Sequence, residues 1–169
     1  MAAKTNFLNS ENYIKVDEPY LDYLRSSARD SLGHVVANLL VDEFFKFFIL
    51  ATNFPEKNIQ ISKAIDTIWH FAILETKHYR KLNCDNNSGH FLDHSKLEEK
   101  NQKSASAGET KEALEFCLNY VSFFGEFPEG TLQYWPQANL LANLSNISEG
   151  QLNDLIAQLS EENSFAGEI

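Results

Sequence analysis

The side chains with the most chemistry within reach are histidines and carboxylates gathered around one Trp-His string. Asp66 and His70 stand four residues apart, so on a helix both project from the same side. His90 and His94 repeat that spacing, with Asp93 and Glu98 close by. Zinc and iron both accept imidazole and carboxylate ligands. Two helices that met here could set Asp66, His70, His90, Asp93 and His94 around one ion, at about 2.0–2.2 Å if it were zinc. The competing expectation needs no metal: Asp66 orients His70 through a hydrogen bond, and His70 pins an adjacent loop. No standard metal spacing such as H-E-x-x-H is present, so the structural network is preferred and no cofactor is expected.

The neighbours of these residues point the same way. Trp69 lies among Ile65, Ile68 and Ile73 and reads as core. Tyr79 is either core or a hydroxyl donor to the same network. Cys84 has no C-x-x-C partner, and a buried free thiol is the default; as a nucleophile it would need a base such as His78 or His90. There is no P-loop, dinucleotide fingerprint, G-x-S-x-G or H-x-x-E-H string. The acidic pairs Asp42-Glu43, Glu98-Glu99 and Glu161-Glu162 read as solvated faces. No catalytic residue is assigned, and whether the chain is an enzyme stays open.

Helices must position these residues. Asp17 is an N-cap, with Pro19 in the first turn of a helix reaching about Ser27. Asp30 or Ser31 caps a second helix to about Thr52, with Leu32, Val35, Val36, Leu39 and Leu40 on one face. Its later half, Phe44 to Leu50, is apolar nearly all round, as in a central core helix or one shared with a partner. Asn53-Phe54-Pro55 ends it. Ser62 caps a third helix to about Leu82, lined by Ile61, Ile65, Ile68, Ala72 and Tyr79. Asn83 to Gly89 reads as a turn, His90 to Lys100 as a short helix, and Asn101 to Gly108 as a mobile loop. A helix from about Glu109 to Phe124 stops at Gly125. Phe127 to Pro136 is aromatic and irregular. Ser148 and Gln151 form a capping box for a C-terminal helix over about 149–161, and LSEENSFAGEI reads as a frayed end.

The string AIDTIWHFAILETKHYRKLNCDNNSGHFLDH resembles the glycine-rich-domain-containing family, whose core reads D-x-x-W-H-x-H-I-L-x-T-x-x-Y, followed by a Cys, a Gly and a His-His pair. Asp66, Trp69, His70, Ile73, Leu74, Thr76, Tyr79, Cys84, Gly89 and His94 match in order. FFKFFILATNFP and FFGEFPEGTLQYWP extend the resemblance over roughly residues 30–136. Ala72 and Asp93 stand where that family carries histidines. If those histidines bind metal in relatives, the resemblance implies a lost ligand and a changed one. It implies no reaction.

The whole reads as an all-α chain, one helical bundle of about five to seven helices over residues 1–169. A net charge of -10 repels phosphate, so nucleic acid and anionic membrane surfaces are not expected partners. Two cysteines in 169 residues suggest a reducing compartment. Met1 to Ser10 shows no secretory h-region, and Phe44 to Ala51 is far short of the ~20 residues that span a bilayer. A cytoplasmic protein is expected. The leading expectation is a non-enzymatic protein-protein interaction module, as a homo-oligomer or with another protein, centred on a buried Trp-His helix. The alternatives are a zinc or iron domain using His70 and His94 with Asp66 or Asp93, and a bacterial effector exported through its C-terminal tail.

Overall fold

A computed structural model describes residues 14–86, 91–93 and 107–165. Among them are seven α-helices and one 3-10 turn, with no strand, so the fold is all-α. The chain divides into two compact units, Met1–Ser95 and Lys96–Ile169.

In the first unit, α1 (Glu18–Leu32) begins as expected. The Asp17 side chain accepts from the Tyr20 N–H, and proline occupies the first turn. The expected stop near Ser27 and the caps at Asp30 or Ser31 are corrected. The helix runs to Gly33, whose φ of 94° and ψ of 153° belong to a region that glycine almost alone occupies. The chain turns there, so Val35 is 96% exposed rather than part of an apolar face, and α2 (Ala37–Asn53) starts six residues later than Ser31. Phe44, Phe45, Phe47, Phe48 and Leu50 are all buried, the central-helix outcome for the apolar run.

Ser62 caps α3 (Lys63–Leu74), accepting from the Ile65 N–H. The expected single helix to Leu82 is broken at Glu75 (φ −87°, ψ 64°), and α4 (Thr76–Asn86) follows. A helix leaves its last four carbonyls without intrahelical donors. Two tyrosines of α1 serve the freed end: the Tyr20 hydroxyl donates to the Ala72 carbonyl at 2.9 Å and Tyr23 to that of Phe71 at 3.3 Å. Within this unit α1, α2 and α3 pack on one another and α4 packs on α3. Residues 91–93 are not helical, and the rest of the expected 90–100 helix lies outside the described residues.

In the second unit, α5 (Ala107–Phe124) ends at Gly125, φ 76°. The expected loop over 101–108 lies outside the described residues up to 106. Phe116, Tyr120, Phe127 and Trp135 form an aromatic core, with Tyr120 stacked on Phe127 at 4.0 Å. The irregular segment is thus the packing of its own unit, with a 3-10 turn (Leu132–Tyr134) before α6 (Pro136–Ser145). Asn146 closes α6 in the left-handed conformation. The Ser148/Gln151 capping box forms in both directions, at 2.9 and 3.3 Å. Helix α7 (Glu149–Phe165) outruns its expected end at 161. The stretch expected to fray is therefore helical through Phe165.

Candidate functional site

The residues singled out by the Trp-His string separate into a buried network and an exposed pair. Trp69 faces inward from α3, packed on Phe47 at 4.8 Å, and its indole N–H donates to the Tyr79 hydroxyl at 2.9 Å. That hydroxyl donates in turn to the Leu92 carbonyl at 2.6 Å. Asn83, one turn beyond Tyr79 on α4, accepts from the Leu92 N–H at 2.8 Å and donates to the Tyr79 carbonyl at 2.9 Å. Both backbone polar groups of Leu92 are therefore held by side chains of one helix, much as a neighbouring strand would hold them. Burial pushes the Tyr79 hydroxyl above its ordinary pKa, against the opposing hydrogen bonds from Trp69 and Asn83. It stays protonated and remains a donor. Phe91 meets the Tyr79 ring edge-on at 5.7 Å.

Asp66 and His70 come together as the i, i+4 spacing requires, but at the surface. His70 Nδ1 lies 2.7 Å from the Asp66 carbonyl oxygen and 3.3 Å from its carboxylate. The His70 side chain is 56% exposed, which corrects the expectation of a buried Trp-His helix: adjacent residues point about 100° apart, so Trp69 and His70 cannot share a face. Leu74, one turn further along, is 71% exposed. The Tyr79 hydroxyl bonds Trp69 and Leu92 rather than this pair. Ala72 is fully buried, and its carbonyl takes the Tyr20 hydroxyl.

Cys84 is exposed, correcting the expected buried thiol. On α4 the inward positions are Tyr79, Leu82 and Asn83, and the next residue turns outward. Cys117 is the buried thiol, and desolvation raises it to about 12. Asp93 is exposed. His90 and His94 lie outside the described residues. Among the described residues no three His, Cys, Asp or Glu side chains are grouped to hold a metal ion.

Other arrangements were not anticipated. His78 Nδ1 sits 3.2 and 3.1 Å from the two Asp17 carboxylate oxygens, and its ring stacks on Tyr20 at 5.4 Å. Asp17 thus joins the start of α1 to α4 while capping α1. Asn86 binds both backbone groups of Lys15, and in the second unit Asn153 does the same for Phe127, at 2.9 and 3.1 Å. A readable signal existed, because asparagine is a poor helix former whose amide competes for backbone groups. The Asp42-Glu43 pair is not a solvated face either: Glu43 is fully buried and pairs with Lys46 at 2.7 Å.

A family model described as UCP032817-like matches residues 14–121. No curated protein and no solved structure matches the chain. The resemblance to the glycine-rich-domain-containing family is therefore corrected: the family shown is a different one, and its match begins at Ile14, well before residue 30. No described helix is long and apolar enough to cross a membrane.

Proposed function

We propose a non-enzymatic role for this chain, which belongs to the UCP032817-like family: it is a helical protein that works through protein contacts made by the outer stripe of α3. The observation that carries this reading is the hydrogen-bonded run Trp69–Tyr79–Leu92, with Asn83. The central residues of the Trp-His string are engaged in holding backbone. What the same helix turns outward is Asp66, His70 and Leu74, at i, i+4 and i+8, a mixed polar and apolar stripe of the kind found in protein contacts. The Phe44 to Leu50 run does not support the reading, since its phenylalanines and Leu50 are buried within the chain. A photo-cross-linking residue at Leu74 tests it, with the exposed Glu18 as the control position. A discrete cross-linked species from Leu74 alone, lost with His70→Ala while circular dichroism is unchanged, is the expected result. Equal yields from both positions would sink it.

A second reading, zinc or iron binding at His70 with Asp66 or Asp93 and His90 or His94, has one observation in its favour. His70 Nδ1 lies 2.7 Å from the carbonyl oxygen of Asp66 and 3.3 Å from its carboxylate, and an oxygen acceptor against one ring nitrogen is the arrangement by which metal-binding histidines are oriented. Metal analysis of untagged protein separates the two readings. Near-stoichiometric zinc or iron, absent from His70→Ala, supports this one, and a metal-free wild type removes it.

A further inference from the structure

Helix α4 carries a receptor for extended main chain. Tyr79 and Asn83 stand one turn apart, both buried, and each is fixed by a second bond. The Trp69 N–H donates to the Tyr79 oxygen, so the hydroxyl proton is aimed at the Leu92 carbonyl. The Asn83 amide nitrogen is engaged by the Tyr79 carbonyl, so its oxygen faces the Leu92 N–H. One donor and one acceptor are thereby held ready for the backbone groups of a single residue. Neither bond involves the Leu92 side chain, so what the receptor recognises is main chain rather than sequence.

The segment in that receptor is lightly held elsewhere. Phe91 is 47% exposed and Asp93 is exposed, with Leu92 half-buried between them. The other residue clasped by α4, Lys15, is bound through both backbone groups by Asn86 but is flanked by Ile14 and Val16, both buried. Core side chains lock that segment, whereas residues 91–93 are held chiefly by two backbone bonds and the Phe91 ring against Tyr79. They also lie just ahead of the boundary between the two compact units, at Ser95. The helices of each unit pack on one another, so moving residues 91–93 to another receptor re-routes the connection and leaves that helix packing intact.

We propose that the Tyr79–Asn83 receptor takes residues 91–93 of a second copy, so that two chains join by exchanging this segment. Fit argues for that occupant: the segment that the receptor matches is the chain's own, and a second copy supplies it with every bond unchanged. Emptying the receptor without replacement strands a buried hydroxyl and a buried amide oxygen, so a released segment is replaced rather than lost. Exchange uses none of Asp66, His70 and Leu74, and it stands or falls apart from the contact role of the α3 stripe.

Two variants that each lack one half of the same hydrogen bond test it. Asn83→Ala keeps the segment and loses the acceptor; Leu92→Pro keeps the receptor and loses the N–H. Only a mixed pair forms the bond, between the segment of the Asn83→Ala copy and the receptor of the Leu92→Pro copy. Sedimentation should show a one-to-one heterodimer that forms about tenfold more tightly than either variant self-associates. The Trp69 indole N–H resonance of labelled Leu92→Pro protein should move to its wild-type position on mixing. No heterodimer, or one that leaves the resonance unmoved, overturns the proposal. The wild type decides the matter should either variant fail to fold, with isotope-labelled and unlabelled chains refolded together at millimolar concentration. Nuclear Overhauser contacts between Tyr79 of one copy and Phe91 of the other support exchange, and contacts confined to one copy end it.

Discussion

Removing one hydroxyl tests whether the Trp-His string is architectural. Tyr79→Phe keeps the ring against Phe91 and deletes an atom that accepts from Trp69 and donates to Leu92. Trp69 is 4% exposed, so its N–H loses this acceptor where water has little access. A buried group deprived of its partner costs about 1–3 kcal/mol, and the half-buried Leu92 carbonyl falls at the low end of that range. Sparing the phenol its own desolvation returns part of the loss, so the net expectation is about 2–3 kcal/mol. Urea unfolding followed by tryptophan fluorescence should show a lower midpoint at unchanged slope. Pairing Tyr79→Phe with Trp69→Phe in a double-mutant cycle should give a coupling of about 1 kcal/mol. A Tyr79→Phe protein within about 0.5 kcal/mol of the wild type, the scatter of an ordinary surface change, would refute the reasoning. The hydroxyl would then have exchanged equivalent bonds with water.

Three further outcomes are expected. Iodoacetamide at pH 8 should modify Cys84 and spare Cys117, because the first is exposed and burial pushes the second up to about 12; mass spectrometry of the peptides reads this, and equal labelling would contradict the burial. Gly33→Ala should cost about 1–3 kcal/mol through backbone strain alone, since a Cβ there meets nothing within 4 Å; an unchanged denaturation midpoint would mean that the turn relaxes. Asn153→Ala should cost about 2 kcal/mol or more by stripping both backbone groups of Phe127 of their partners, and Asn153→Asp should do no better, because its second oxygen would face the Phe127 carbonyl in a buried site; urea unfolding midpoints read both.

What could be read from the sequence is what is local. Asp17, Ser62, the Ser148/Gln151 box and Gly125 each act within one turn of their helix, and each does so where expected. Gly33 was equally visible, but the apolar rhythm of Leu32, Val35 and Val36 suggested a helix running through it. Periodicity reports which side chains could share a face and is silent on whether the backbone continues. The break at Glu75 had no glycine or proline to announce it, and it survives because Tyr20 and Tyr23, some fifty residues earlier, supply donors to the freed carbonyls.

The site was less legible because its meaning lies in partners distant along the chain. Tyr79 finds Leu92 at a separation of 13 residues, Asn153 finds Phe127 at 26, and Asn86 finds Lys15 at 71. No local spacing encodes such pairs. Residue type does carry a trace of them: an asparagine in mid-helix, or a glutamate three residues before a lysine inside an apolar run, is unfavourable unless something distant or buried compensates it. Glu43 and Lys46 are such a pair, and their position among four phenylalanines should have argued for burial together rather than for a solvated face. The same logic distinguishes Trp69 from His70. The aromatic ring with its single donor is satisfied inside by one hydroxyl, whereas an imidazole needs partners at both nitrogens. A helix that buries the first therefore has physical reason to turn the second outward, where Asp66 holds one nitrogen.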